Sequence, residues 1–318
     1  MSTKEVVMTE EWNESDDFKR VGTEGLSGED IGEKSLTYWA DVWRRFRENK
    51  LAIFGLILLG LIVVLLFIGP MVTGQDYQLI DASIKNQGPS SAHWFGTDNL
   101  GRDVFSRILQ GSQTSLYAAL CVVAVVFVIG TLLGVIAGYM GGTVDTVIIK
   151  IVVIFQAFPS FILAVAVSGM LGAGMLNGML SLCAVYWTTY AKLSRSLVLQ
   201  MKDADYIRAA KLCGAKNRHI IFRYVLPNVV SPLVVTAALD VGSVILSMAG
   251  LSFLGLGAQR PTAEWGVMMS EARNYMQTAP WIIIFPGLAL FLTVIVFNRL
   301  GDSVRDVLNK RSLQGKRS

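Results

Sequence analysis

The sequence predicts an all-α polytopic membrane protein with six transmembrane helices. Hydrophobic residues make up 53% of the 318-residue chain and charged residues only 16%, whereas a soluble domain carries about one quarter charged residues. The apolar residues do not alternate with polar ones as core positions do. They come in long uncharged blocks, the pattern of segments that cross a bilayer. Lys and Arg gather in alternate segments between those blocks, which orients the chain across a membrane.

Residues 1–37 carry Glu10, Glu11, Glu14, Asp16, Asp17, Glu24, Glu29 and Asp30 among Gly and Ser. Such a segment cannot bury enough apolar surface to offset its ordering entropy, so a disordered acidic tail is expected. Residues 38–70 hold an interfacial lead-in and the first helix. Trp39, Trp43 and Phe46 suit the headgroup level, with Arg44, Arg45, Arg47 and Lys50 on the cytoplasmic side. Leu51–Ile68 has no charge over eighteen residues, about 27 Å of helix and enough to cross. Because the first apolar block begins only at Leu51, it reads as a retained helix and not as a cleaved signal.

Residues 71–111 form an expected external loop with Gly-Thr-Asp and Gly-Arg-Asp turns. Residues 112–300 hold five more helices. The second starts at Ser112 and ends near Gly138–Gly142, and the third runs from Val147 to Leu171 with Pro159 interrupting it. Ile151–Ala191 contains no charge; as one helix it would reach about 60 Å, twice the hydrocarbon thickness. It must fold back, and Gly172, Gly174, Asn177 and Gly178 supply the turn. The fourth helix is then Met175–Ala191, the fifth Val229–Gly250 and the sixth Trp281–Phe297, followed by a cytoplasmic tail at 301–318. With the far N-terminal lysines and arginines and the helix-edge Lys150 left out, eighteen Lys and Arg fall in the inner segments of this scheme and five (Lys85, Arg102, Arg107, Arg260, Arg273) in the outer ones. Both termini and the loop 202–227 are therefore expected in the cytoplasm.

Several function classes lose support at once. The two histidines, His93 and His219, lie outside the apolar blocks, and Cys121, Cys183 and Cys213 form no CxxC pair, so neither a metal site nor a catalytic set is expected. There is no GxxxxGK[ST] loop to cradle phosphate. The net charge of +4 reports membrane orientation, and no nucleic-acid partner is expected.

The loop between the fourth and fifth helices carries the most information. Asp203–Leu212 reads as a short helix that Gly214 breaks, and Lys216–Val225 as a second that Pro227 ends. Ala209, Ala210 and Gly214 leave one side with little bulk, so a partner's groove could admit the helix closely; an ordinary amphipathic surface loop is the plainer alternative. The order Ala-Ala-x3-Gly (209–214), then Ile220 and Leu226-Pro227, is joined by further motifs. These are His-Trp-Phe-Gly-Thr-Asp-Asn-Leu-Gly-Arg-Asp (93–103), Leu-Ser-Phe-Leu-Gly-Leu-Gly (251–257), Glu-Trp-Gly (264–266), Phe-Pro-Gly (285–287) and Phe-Asn-x-x-Gly-Asp-x-x-Arg-Asp (297–306).

Together, over residues 39 to 310, these motifs resemble the inner-membrane component C of the dipeptide, oligopeptide and nickel ABC importers. The resemblance implies a type I ABC importer permease fold in a bacterial cytoplasmic membrane, and no enzymatic activity of its own. It implies that Asp205, Ala209, Ala210, Gly214, Ile220, Leu226 and Pro227 couple the chain to an ATPase. The implied partners are a second homologous permease, two ABC ATPase subunits that bind ATP and magnesium in place of this chain, and an extracellular or periplasmic substrate-binding protein. Small peptides are the expected substrate. The stretches 239–242, 249–253 and 261–268 look more like the nickel branch.

Within the bilayer, Asp240 is the single charge placed near the middle of a helix. Such a charge costs about 2.5–3.5 kcal/mol on insertion scales and faces a cavity or a partner, so Asp240 is a candidate for the translocation path. Gly130, Gly134 and Gly138 fall at i, i+4 and i+8 and suit close helix packing. Residues 252–280 are expected outside, as a gate or dock or a plain interfacial anchor. Two other classes are less well supplied. An intramembrane hydrolase would want a Ser/His or paired-Asp site within the helices, and an ion-coupled carrier inverted repeats and several buried ionisable groups.

Overall fold

The structure, a computed structural model, describes Ile53, Ile57, Gly60 and residues 76–308. These residues lie in one compact unit, residues 45–318. The described residues are helical throughout apart from loops and a single bridge between Thr97 and Asp103. The acidic tail, the aromatic lead-in, most of the first expected helix and the end of the chain lie outside the described residues.

Helix α1 spans Val104–Met140. It begins eight residues before Ser112, because Asp103 supplies the cap: its carboxylate accepts the Ser106 N–H at 2.8 Å, satisfying one of the orphan donors of the first turn. The helix stops at Gly141, whose φ of +66° suits a residue without Cβ. At its full length of about 55 Å it exceeds the hydrocarbon layer, so its first turns reach beyond it.

The expected third helix is two helices. Helix α2 covers Gly142–Gln156 and α3 covers Ser160–Leu171, and they are bent by 91° at the break. Pro159 lacks an N–H for the ladder and drives the residue before it out of the helical region, so an interruption becomes a corner. Helix α4, Met175–Met201, continues ten residues past Ala191 and carries Lys192 and Arg195 with it.

Helix α5 is Asp205–Leu212 and α6 is Asn217–Ile220. A π turn over Ile221–Val225 joins α6 directly to α7, Leu226–Phe253. The expectation that Pro227 ends a helix is therefore wrong. Pro227 sits in the first turn of α7, where a missing N–H leaves no ladder bond unmade. Helix α8 is Trp265–Ala272 and α9 is Trp281–Leu308.

Three of these stretches are long and apolar enough to cross a membrane: Val104–Met140, Asn217–Phe253 and Trp281–Arg305, with a fourth if α2 and α3 count as one broken span. Helix α4 is long enough, but Thr188, Thr189, Lys192, Ser194, Arg195 and Ser196 dilute its apolar run.

Helix α1 packs along α4, and α7 packs against α9, α1 and α4. Leu182, Tyr190, Val122, Val126, Leu233, Ile245 and Met248 fill the shared core. Between lipid-solvated helices the attraction is packing rather than water exclusion, so close backbone approach matters. A Cβ at Gly130 would lie 2.5 Å from Tyr190 Cβ, at Gly134 2.6 Å from Ser194 Cβ, and at Gly138 2.8 Å from Val198 Cβ. The three glycines thus form the groove on α1 that receives α4.

The fold places two loop systems at opposite ends of the bundle. The α5–α6 elbow touches the end of α1, where the Tyr139 hydroxyl bonds Asn217 at 3.0 Å. Residues 76–103 and α8 meet the other end, where the Trp281 indole donates to the Thr97 carbonyl at 3.3 Å.

Candidate functional site

Three arrangements bear on function: the elbow, a buried charge cluster at the opposite end, and a polar seam within the bundle.

Gly214 makes the elbow. Its φ is +81°, the left-handed conformation that ends many helices, and its N–H bonds the Lys211 carbonyl at 3.0 Å. A Cβ there would meet nothing within 4 Å, so Gly214 is required by backbone conformation and not by crowding. Ile207, Ile220 and Val225 are fully buried and fix the elbow to the bundle. Ala210 and Leu226 also pack on the core. Asp205, Ala209, Gly214 and Pro227 face outward. The seven residues expected to act together therefore divide: three anchor the elbow and four lie on its outer face. Sequence reasoning missed the outer face's apolar members, Leu212, Phe222 and Tyr206, exposed at 88%, 57% and 47%. Arg208, Lys211, Lys216, Arg218 and Arg223 of the same segment are all exposed as well. Exposed apolar side chains interspersed with cations on one short segment are what a partner with an acidic-edged groove would cover.

At the opposite end, Asp98 accepts the N–H groups of Leu100 and Arg102 at 2.9 Å and the Arg102 Nε at 2.6 Å. Glu271 on α8 receives Arg102 Nη2 at 2.9 Å, Arg107 Nη2 at 3.3 Å and Arg260 Nε at 3.0 Å. Except for Arg260, these side chains are buried. Beside them Glu264 caps α8, accepting from Val267 N–H at 3.0 Å and from the Ser115 hydroxyl at 3.3 Å. Burial pushes its carboxyl above the ordinary carboxylate range, with those hydrogen bonds opposing. The Trp265 indole donates to the Ile108 carbonyl at 3.1 Å, and Phe95 stacks on Phe285 with ring centres 4.1 Å apart. The loop 76–103, α1, α8 and α9 are thereby tied into one platform. Arg102, Glu264 and Trp265 stand in the Gly-Arg-Asp and Glu-Trp-Gly motifs, but nothing local in the sequence pairs Arg102 with Glu271.

Asp240 lies near the middle of α7. Its carboxylate and the hydroxyl of the fully buried Tyr190 face each other across the α4–α7 interface as a loose polar pair, without the alignment of a regular hydrogen bond at Asp240 Oδ2 or the Tyr190 hydroxyl among the described residues. Along the same side of α7, at spacings of four, three and four, stand Thr236, Asp240, Ser243 and Ser247, none of them fully buried. The Tyr186 hydroxyl of α4 meets Ser247 Oγ at 2.9 Å. Toward the elbow the seam opens into a groove of about 420 Å³ lined by Leu193, Ser231, Thr236, Leu239 and Arg305 among others. Among the described residues there is no group of three His, Cys, Asp or Glu placed to hold a metal ion.

Comparison with known proteins agrees on one family. Residues 130–314 match the binding-protein-dependent transport system inner membrane component family, and residues 37–89 match the N-terminal transmembrane domain of oligopeptide transport permease C. The dipeptide transport system permease protein DppC of Alkalihalophilus pseudofirmus is 41% identical over 277 residues, 87% of this chain and 91% of that protein. The glutathione transport system permease protein GsiD of Pectobacterium atrosepticum is 44% identical over 283 residues, covering 88% and 94%. The inward-facing MetNI methionine ABC transporter aligns with a TM-score of 0.52 at 20% identity, over 63% of this chain and 95% of that one, a likeness of fold.

Proposed function

The chain belongs to the binding-protein-dependent transport system inner membrane component family, the permease subunits of ABC importers, and on that premise we propose that it imports short peptides. It is a transport subunit and not an enzyme. The observation that carries the substrate class is identity of 41% and 44% over nearly nine-tenths of the chain to relatives named for dipeptide and glutathione transport. Glutathione is itself a tripeptide, so both names point to a short peptide backbone. Nickel, the alternative raised by three short motifs, has no comparable support.

The mechanism follows from the elbow. ATP and magnesium are bound by ATPase subunits that seat on Leu212, Phe222 and Tyr206 and on the cations of the same segment. Asp205, Ala209 and Gly214 let that contact come close, while Ile207, Ile220 and Val225 transmit its displacement to the bundle. Asn217–Phe253 runs as a nearly unbroken helix from the elbow through the span that carries Asp240. A push at the elbow therefore moves the seam along its own axis. The opposite platform, held by Glu271, receives a substrate-binding protein. A second permease completes the path, both termini of this chain lie in the cytoplasm, and the membrane is the bacterial cytoplasmic one.

The test is reconstitution. This chain, its companion permease, the ATPases and the binding protein in liposomes should take up labelled dialanine only with ATP. Excess dipeptide or glutathione should compete, and nickel chelate should not. Uptake of nickel chelate in preference to peptide would overturn the substrate assignment, and uptake by this chain alone, without ATPase subunits, would overturn the mechanism.

A further inference from the structure

We infer that Asp240 is the point on the permeation path that engages the free amino group of a passing peptide, an inference that rests on the peptide reading above. Three independent features of the structure converge on it. Asp240 is a carboxylate near the middle of a span, where a charge is retained only against a cavity or a partner. Its structural neighbour is a phenol and not a cation: the Tyr190 hydroxyl, on a ring with no exposed surface, interacts with Asp240 but carries no charge to balance it, and Asp240 Oδ2 has no well-aligned donor among the described residues. The polar surface continues beyond it on both sides. Ser243 and Ser247 lie toward the α8 end, and Thr236 toward the elbow, where the groove of about 420 Å³ begins.

A seam facing lipid would have no use for four polar side chains within one narrow arc. Two of their hydroxyls are satisfied by their own helix, Thr236 by the Pro232 carbonyl at 3.3 Å and Ser247 by the Ser243 carbonyl at 2.8 Å. These present polarity without demanding a partner, which suits a surface that solutes slide over. Asp240 differs because, among the described residues, its charge faces only the neutral Tyr190 hydroxyl. A primary ammonium is the complementary group: compact, cationic and able to donate to the partly exposed Asp240 carboxylate. Every linear peptide with a free N-terminus carries one. The groove one turn toward the elbow, lined by Thr236 and walled by Leu193, Val235 and Leu239, offers apolar surface to the side chains that follow it. A single weak site of this kind holds a peptide's leading end without trapping it.

The test compares wild type with Asp240→Asn and Asp240→Glu in the complete reconstituted importer. Dialanine and N-acetyl-dialanine are supplied separately, and uptake is normalised to occupancy of the binding protein. Membrane abundance and co-purification of partners are followed in parallel. Wild type should favour the free amine, Asp240→Asn should lose about tenfold in dialanine uptake and abolish that preference, and Asp240→Glu should restore most of it. The inference is overturned if Asp240→Asn transports dialanine as wild type does, or if Asn and Glu variants lose abundance and uptake in equal measure, which would make Asp240 a packing residue. Uptake of dialanine by wild type with no preference for its amine overturns this inference and leaves the peptide reading intact. A wild-type complex that takes up no peptide overturns both.

Discussion

Arg102 and Glu271 are 169 residues apart in sequence and meet at 2.9 Å with both side chains buried. Glu271 also receives Arg107 and Arg260, so one carboxylate joins the loop before α1, α1 itself and α8. Removing its charge leaves two buried guanidinium groups with Asp98 as their remaining carboxylate, at 2.6 Å from Arg102 and 3.6 Å from Arg107, and breaking a buried pair from one side costs up to about 3–5 kcal/mol. Glu271→Gln should therefore lower thermal stability in detergent sharply. Arg260→Ala, at a side chain 70% exposed, should change it little. Equal melting temperatures for Glu271→Gln and wild type would show that the platform is held by something else.

The glycine groove on α1 predicts a graded response. Gly134→Ala places a Cβ against Ser194 and the Ala191 backbone, so α4 must move away and folded yield should fall, further still for Gly134→Leu. Gly169, on α3, meets nothing within 4 Å. There alanine should be neutral or mildly stabilising, by up to about 1 kcal/mol. Size-exclusion recovery after heating separates the two cases, and matched recovery for Gly134→Ala and Gly169→Ala would contradict the packing seen here.

At the elbow, Gly214 is distinguished by its backbone and not by its surroundings. Asparagine tolerates a left-handed conformation, so Gly214→Asn should retain most ATP-driven uptake. Gly214→Ala should lose more, since a Cβ there costs roughly 1–2 kcal/mol. Gly214→Trp should assemble in the membrane yet uncouple ATP hydrolysis from uptake. Full transport by an assembled Gly214→Trp complex would refute the assigned role.

Leu212 offers a more direct probe of the docking face. It is 88% exposed, so Leu212→Asp removes no internal packing and should leave membrane abundance unchanged. Co-purification of the ATPase subunits should drop, because an acidic residue replaces an apolar one where an acidic-edged groove is expected to sit. Undiminished pull-down would move the docking surface elsewhere.

Glu264 predicts a pH dependence. Burial raises its carboxyl in the folded chain, so the folded state binds its proton more tightly than the unfolded state does, where a glutamate titrates near ~4.3. The associated stability is full below that value and is lost as pH rises through the folded one. Glu264→Gln imitates the protonated form and keeps an acceptor for the Val267 N–H. Melting temperature measured from acid to neutral pH should fall less for the variant than for wild type, and identical slopes would contradict this.

Much of the span layout could be read from residues alone. Uncharged blocks and turn glycines placed α1, α4, α7 and α9, because a hydrocarbon solvent forbids both charges and unpaired backbone. Boundaries were less legible where side-chain chemistry competes with hydropathy. Asp103 starts α1 before its apolar run begins, and the π turn at Ile221–Val225 carries the helix through Pro227 without a stop. Pro159 was recognised as an interruption, but the 91° corner depends on how α2 and α3 pack against neighbours.

By itself, the sequence determined that this chain lies in a membrane, that its elbow carries small residues and cations, and that Asp240 sits at mid-span. Composition and spacing are local quantities, and solvent alone dictates their consequences. Only the tertiary structure decided which of those residues anchor and which face a partner, joined Arg102 to Glu271, and set Tyr190 beside Asp240. Those relationships link residues up to 169 positions apart, and no local pattern encodes a contact that exists only once helices have packed.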